Sequence, residues 1–258
     1  MLNIERKNMI LDLLKTKQAV TVAELSAVLD VSIVTVRKIL TALDRQGLLH
    51  RTRGGAVSVA MPFRESTVAD KLNEAKREKQ AIAARAYSLI ENQETIYLDA
   101  GTTTLELTRL IKKGPKRDLT LVTNAINLVA ELLDMPDIRV ILTGGELRHS
   151  VISCVGPLAE ISIRGLHFDK AFIAANNVNL DFGPSTPVPA EAQVKRTAIE
   201  SASAAYLLCD SRKFGSASLI SIAPLSAFAA IITDNGLDET YCTEFTRAGL
   251  QLFLAEVS

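Results

Sequence analysis

The sequence contains no tryptophan, and aromatic residues make up only 5% of its 258 positions. The core must therefore be aliphatic. Cysteine is almost as scarce: Cys154, Cys209 and Cys242 are odd in number and show no C-x-x-C spacing. That pattern excludes a disulfide framework and a thiolate metal site. Cys209 closes the apolar run Ala204–Leu208 and reads as a small buried hydrophobe. With 13 glycines and 8 prolines the chain is neither collagenous nor of low complexity. No apolar run reaches the ~18 residues of a membrane-spanning helix. The start, Met1-Leu2-Asn3-Ile4-Glu5-Arg6-Lys7, shows no apolar core of a secretory signal, so a cytoplasmic location with no membrane partner is expected. His50, His149 and His167 are far apart and lack metal-ligand spacing. The spacings G-x-x-x-x-G-K-[ST], G-x-G-x-x-G and G-x-S-x-G are all absent, so neither a nucleotide cofactor nor a serine-elbow hydrolase is indicated. No cofactor and no metal are expected.

Net charge is missing too, with 29 basic against 29 acidic residues. The balance hides an asymmetry. Residues 1–58 hold nine Lys or Arg and five acids, net +4, and the remainder is net −4. A basic head on an acidic body points to an anionic partner for the head alone. Apolar residues at 48% and charged residues at 22% describe a folded chain, and its length suits one or two domains.

In the head, Ile4, Ile10, Leu11, Leu13 and Leu14 give helical spacing over about residues 4–16. Thr21 with Glu24 has the spacing of a capping box and opens a helix over 22–29, with Val22, Leu25, Val28 and Leu29 inward. Asp30-Val31 is a tight turn, and Ser32 caps a third helix running to about Gln46, with Val36, Ile39, Leu40 and Leu43 inward. Gly47 is placed as its C-terminal glycine, and Leu48 to Val57 reads as a hairpin. Two short helices joined by such a turn have the spacing of a helix-turn-helix, whose second helix enters the major groove by its N-terminal end. Here that end presents Ser32, Val34, Thr35, Arg37 and Lys38, and the hairpin adds Arg51 and Arg53 beside Gly54-Gly55 as a wing. Arginine can pair with guanine in two bonds, while lysine and hydroxyls reach phosphates. A three-helix packing module with a solvated basic face is the plainer account. It leaves the ordered combination of caps, turn, outward basic residues and basic ribbon without a purpose.

The body alternates short apolar runs with helical patterns. Strands are expected at 95–98, 119–122, 138–142, 170–174, 204–209, 229–232 and 250–254, and helices near 75–90, 103–112, 126–133, 191–203 and 238–248. This is the rhythm of a mostly parallel α/β sheet covered by helices on both faces. The strands run into polar turns: Asp99-Ala100-Gly101-Thr102-Thr103-Thr104, Thr123-Asn124, Thr143-Gly144-Gly145, Asn176-Asn177, Asp210-Ser211-Arg212-Lys213 and Asp234-Asn235-Gly236. Such carboxyl ends are where open α/β sheets bind ligands. Helix capping alone accounts for Asn124 or Asp234. Gly101 followed by three threonines exceeds what a cap requires and offers an anion seat at a helix start. Glu191 and Lys195, four apart on a helix, read by default as a surface pair.

The segment Val22–Val57 resembles the DNA-binding head of the DeoR-type family of bacterial transcription regulators. The matching residues are Glu24-Leu25, Val31-Ser32, Thr35-Val36-Arg37, Leu40, Leu43, Gly47-Leu48-Leu49 and Arg51-Thr52-Arg53-Gly54-Gly55-Ala56. The family's Arg-Arg-Asp-Leu is replaced by Arg37-Lys38-Ile39-Leu40. Residues 75–254 resemble that family's sensor domain through Glu78-Lys79, Leu98-Asp99-Ala100-Gly101-Thr102-Thr103, Thr123-Asn124, Gly144-Gly145, Val155-Gly156-Pro157, Glu191-Ala192-Gln193-Val194-Lys195 and Asp210 to Gly215. The resemblance implies a fold similar to ribose-5-phosphate isomerase and a phosphorylated sugar as effector. It implies that Gly101, Thr102 and Thr103 seat a phosphate, and that Asp99, Glu191, Lys195, Asp210 and Lys213 meet hydroxyls and phosphate oxygens, with Thr123, Asn124, Gly144 and Gly145 at neighbouring strand ends. The family's turn after the fourth strand is replaced by Asn176-Asn177-Val178-Asn179, and Pro184, Pro187 and Pro189 stiffen the loop before Glu191.

The expected organisation is a winged helix-turn-helix domain at 1–58, a linker at 59–74 and an α/β effector domain at 75–258. The expected role is a repressor of a carbohydrate-utilisation operon. It would bind a double-stranded operator as a homodimer or tetramer under control of a sugar phosphate. A sugar-phosphate isomerase built on Asp99, Glu191 and Lys195 is the alternative, and it has no use for the basic head.

Overall fold

The computed structural model describes residues 3–17, 19–45, 48–52, 54–58 and 67–257. The chain forms two compact units, Met1–Glu65 and Ser66–Ser258.

The first unit runs α1 (Asn3–Lys17), β1 (Ala19–Thr21), α2 (Val22–Leu29), α3 (Ile33–Arg45), β2 (Leu49–Arg51) and β3 (Gly55–Ser58). Thr21 closes a capping box with Glu24 at the start of α2: its hydroxyl accepts the Glu24 N–H at 3.1 Å and its own N–H donates to the carboxylate at 2.9 Å. Asp30 then takes the left-handed conformation, φ 50°, which ends α2 and aims the chain into α3. Ile10, Leu14, Leu25, Leu29, Val36, Leu40 and Leu43 form the aliphatic core of this unit. Ile39 is also buried there, so the residue replacing the family's acid extends the core. Val28, expected inward, is 46% exposed, while Leu25 and Leu29 of the same helix are the buried ones. The expected hairpin forms between β2 and β3, and β1 joins it in the order β1-β3-β2. The third strand depends on Gly55, where a Cβ would lie 1.9 Å from the Val20 carbonyl oxygen. Gly47 and Arg53 lie outside the described residues.

The second unit begins with α4 (Val68–Leu72), inside the stretch expected to be a linker. Thr67 and Asp70 form a capping box that starts it. Then follow α5 (Lys76–Ser88), β4 (Thr95–Leu98), α6 (Thr102–Lys113), β5 (Thr120–Thr123), α7 (Ile126–Glu131), β6 (Arg139–Leu142), β7 (Glu146–Arg148), β8 (Ser153–Val155), α8 (Pro157–Arg164) and β9 (Phe168–Ala174). The chain continues through β10 (Asn177–Asn179), β11 (Gly183–Thr186), α9 (Pro189–Glu200), β12 (Ala202–Leu208), β13 (Ile220–Ser221), β14 (Ala230–Asp234), α10 (Glu239–Arg247) and β15 (Leu252–Ala255).

Seven of these strands make one sheet in the order β15-β14-β12-β9-β4-β5-β6, with every neighbouring pair parallel. Period-two alternation feeds two cores. Tyr97, Ala171 and Ile173 join one face with Ala159, Ile163, Val194 and Phe245. Ile96, Leu98 and Phe172 join the other with Ile82, Ala86, Leu107, Ile111 and Leu128. The fold is α/β with helices on both faces, as expected.

Three departures stand out. The expected loop through Pro184 is strand β11, paired antiparallel with β10 and β13 in a second small sheet. Pro189 starts α9, where its missing N–H costs nothing. The helix expected to reach 203 ends at Glu200, because Ala202 is already paired with Phe168 in the large sheet.

Leu40 is fully buried in the first unit. Leu40→Ala should remove about 2–5 kcal/mol from that unit. Hydrogen exchange checks this: amides of residues 22–45 should lose protection while those of the seven-stranded sheet keep theirs. Equal loss in both units would contradict the division.

Candidate functional site

At the start of α3, the Ser32 hydroxyl accepts the Thr35 N–H at 3.3 Å and lies 2.9 Å from the Thr35 hydroxyl. This cap exposes the first turn of α3. Val34 is 62% exposed, Arg37 and Lys38 are exposed, and Thr35 is half-buried. Arg51 on β2 donates through Nη1 to the Thr41 hydroxyl at 3.0 Å, and its N–H donates to Asp44 at 3.1 Å. The hairpin is thereby tied to the outer side of α3. A guanidinium, an ammonium and an exposed isopropyl group on one helix end suit guanine edges, phosphates and thymine methyls.

In the second unit the site is built at the end of β4. Gly101 packs closely on β9, since a Cβ there would lie 2.8 Å from the Ala174 Cβ. The Thr104 hydroxyl donates to the carbonyls of Asp99 at 2.6 Å and Gly101 at 2.9 Å, which fixes the turn into α6. The first N–H groups of such a helix have no partner within it. Thr102 and Thr103 are buried at that turn and, with Gly101, line a small cleft. Lys195 and Lys213 line it as well.

The lysines are held in place by opposite charge and by carbonyls. Lys195 on α9 donates its Nζ to the Asp99 carboxylate and to the Ala174 carbonyl, the latter at 3.1 Å. The Ala174 N–H donates back to Asp99 at 2.9 Å. Asp99 and Lys195 are thus a buried pair, 1% and 5% exposed. Burial pushes the Asp99 carboxyl above the usual carboxylate range, while Lys195 and the Ala174 N–H pull it back. Lys213 donates to the Ala175 carbonyl at 3.1 Å, and its Nζ lies 3.9 Å from Asp210.

The surface pair that four-residue spacing alone would give Glu191 and Lys195 does not form. Both are buried; Lys195 goes to Asp99, and Glu191 accepts from the Thr186 hydroxyl at 2.7 Å, with the Arg148 Nε at 3.5 Å. Asp210 is 1% exposed and accepts from the Arg212 Nε at 3.0 Å. Neither Glu191 nor Asp210 is among the lining residues; Asp210 lies beside Lys213, and the Glu191 charge acts on Asp99.

Thr123, Asn124, Gly144 and Gly145 are not among the lining residues. The Thr123 hydroxyl donates to the Leu98 carbonyl and accepts the Ala125 N–H. Asn124 accepts from the Tyr97 hydroxyl and donates to the Cys154 carbonyl. Gly144 and Gly145 carry the positive-φ turn into β7, and a Cβ on Gly145 would lie 2.6 Å from the Val155 carbonyl oxygen.

Three residues with polar side chains complete the picture and were not expected at the site. Lys71 on α4 and Asn176 after β9 line the cleft. Lys79 on α5 is buried and donates to the Lys71 carbonyl at 2.5 Å. Burial and the nearby Lys213 charge hold Lys79 down at about 8. Asn176 was signalled by its place at a strand end. Lys71 was signalled only by the Thr67–Asp70 cap spacing.

A head with an exposed helix-turn-helix and a body with a cation-lined cleft define a ligand-controlled transcription regulator. The chain belongs to the DeoR family. The DeoR-like helix-turn-helix domain matches residues 6–61, and the DeoR C terminal sensor domain matches residues 74–235. It is 35% identical over 256 residues to the uncharacterized HTH-type transcriptional regulator YgbI of Escherichia coli K12, covering 99% of both chains. It is 37% identical over 251 residues to the HTH-type transcriptional regulator GlpR of Haloferax volcanii, covering 97% of both. It is 34% identical over 233 residues to the transcriptional repressor AccR of Agrobacterium fabrum, covering 90% of both. Among solved structures, a D-ribose-5-phosphate isomerase in complex with phospho-erythronic acid is 19% identical with a TM-score of 0.39, over 53% of this chain and 52% of that one. That likeness is too slight to bear on function. The isomerase alternative falls: the chain is a regulator and not an enzyme. Among the described residues no helix is long and apolar enough to cross a membrane.

Two outcomes follow. Asp99→Ala leaves the Lys195 ammonium buried without its carboxylate and should cost about 3–5 kcal/mol, read as a lower urea midpoint of the second unit. Lys79 is held at about 8 against an ordinary 10.5, so the unfolded chain binds its proton more tightly than the folded one. Stability should therefore rise as pH rises from about 8 towards 10.5, and the charged form should be a burden below that window. Lys79→Met should remove that portion of the pH dependence. Parallel curves for the two proteins between pH 7.5 and 10 would contradict it.

Proposed function

We propose that the protein is a cytoplasmic repressor of a carbohydrate-utilisation operon, controlled by a phosphorylated sugar bound in its second unit. The observation that carries this reading is the placement of Lys195 and Lys213 against the Gly101–Thr103 turn that opens α6. Two ammonium groups facing a helix start make a seat for a phosphate monoester. Glu191 and Asp210, held beside the lysines, offer carboxylate oxygens to sugar hydroxyls. The AccR relative is named a repressor, which supports that sign of control.

In the head, Arg37 reads a base edge, with Ser32, Val34, Thr35, Lys38, Arg51 and Arg53 placing the helix and wing on the duplex. The protein acts as a homodimer or tetramer, since a symmetric oligomer matches repeated or palindromic half-sites. The effector controls DNA binding by favouring one arrangement of the oligomer over another. Without such a difference in affinity it could shift nothing.

Selection of genomic fragments by the purified protein at ~150 mM salt tests the head. A few sites should be enriched, and Arg37→Ala should lower specific affinity by about 1–3 kcal/mol. A panel of sugar phosphates added to the selected sites tests the body. The reading fails if no fragment is enriched with or without the panel.

A further inference from the structure

One part of the cleft comes from a segment that the sequence had placed in a linker. α4 spans five residues, and two of them, Val68 and Lys71, line the cleft together with Lys195 and Lys213. Two hydrogen bonds tie its backbone to the body. The Val68 N–H donates to the Ser150 carbonyl at 2.9 Å, and the Lys71 carbonyl accepts from Lys79. Val151, the residue after Ser150, lines the same cleft.

The charged side chains that line this cleft are all basic among the described residues. Lysines 71, 195 and 213 all line a cleft of about 50 Å³, and Lys79 stands just behind Lys71. Asp99 offsets Lys195, and Asp210 partly offsets Lys213. No acidic side chain lines the cleft itself among the described residues. The α6 turn on the other side contributes backbone N–H groups and hydroxyls, all of which can donate to an oxyanion.

We infer that Lys71 is a third ligand for the anionic group of the effector, beside Lys195 and Lys213, and that the seated anion thereby holds α4 in place. The inference rests on reading the cleft as an anion seat and adds to it a residue and a consequence. The group recognised is a phosphate monoester or an equally compact oxyanion, held by the lysines that line the cleft. Lys195 keeps one N–H after Asp99 and the Ala174 carbonyl, and Lys213 keeps two after the Ala175 carbonyl, so both can still donate to such a group. The anion is gripped by lysines from α9, the turn after β12 and α4, and Lys71 transmits that contact to α4. Only two residues separate α4 from the end of the first unit at Glu65. An anion that fixes α4 fixes the point from which the chain runs to the DNA-binding unit.

The test uses the full chain with inorganic phosphate as the probe, followed by calorimetry and by hydrogen exchange of the Val68 amide. Wild type should bind phosphate, and phosphate should slow exchange at Val68. Lys71→Met should weaken phosphate about tenfold or more, as expected for losing a charge-assisted bond, and abolish the slowing. Lys71→Arg should keep most of both, which separates lost charge from a lost fold. Lys213→Met should weaken phosphate as well. If Lys213→Met weakens phosphate while Lys71→Met binds it like wild type, Lys71 is not a ligand, and the anion seat stands without it. If wild type itself binds no phosphate, the anion seat falls and this inference falls with it.

Discussion

The buried pair between Asp99 and Lys195 is the constraint on which the second unit's cleft depends. It joins the end of β4 to α9 and, through both backbone groups of Ala174, to the end of β9. Two charges in such a place are costly to desolvate and are tolerated only when their remaining bonds are met. Here the carboxylate takes the ammonium and one N–H, while the ammonium also takes a carbonyl. The position of the pair sets where α6 begins, because the Asp99 carbonyl is also held by Thr104. An apolar pair of equal volume could give as much stability. It would not aim a cation at the start of a helix.

Electrostatic asymmetry extends this logic to the whole chain. The charge surplus of the first 58 residues suits the duplex they are built to meet. The second unit is net acidic, yet its cleft is lined by lysines. Overall composition therefore says little about a site only a few ångströms across, and the local placement of charge says nearly everything. The replacement of an acid by Ile39 in α3 shows the same separation. It alters the core beneath the helix and leaves Arg37 and Lys38 exposed on the other side.

Much of the fold could be read from the residues, for reasons that are local. Cap spacings at Thr21 and Ser32, with apolar residues three and four apart, define α2 and α3 without help from the rest of the chain. The strands of the parallel sheet are short apolar runs because both of their faces are covered. The small sheet of β10, β11 and β13 was hidden because Asn177, Asn179, Gly183 and Pro184 are poor strand formers, held there by their neighbours. Val28 followed the helical period but faces solvent, since the period gives a side and not what lies against it. At the site, the strand-end rule reached Gly101, Thr102, Thr103 and Lys213. The partner of Lys195 was out of reach, because Glu191 is near in sequence and Asp99 is near only in space. Lys71 was missed because a single short turn of helix carries almost no periodic signal.

The order of strands has a consequence for synthesis. β4 lies between β5, which follows it closely, and β9, which begins 70 residues after β4 ends. Lys195 comes 96 residues after Asp99. At a ribosomal pace of roughly 5–20 residues per second, Asp99 waits about 5–20 s before its partner has been made. Throughout that interval the carboxylate lacks the Lys195 ammonium, and for most of it the edge of β4 that β9 will cover lacks its strand. The nascent body can close its first three parallel strands, and it must hold that half-sheet in solution until the second half arrives.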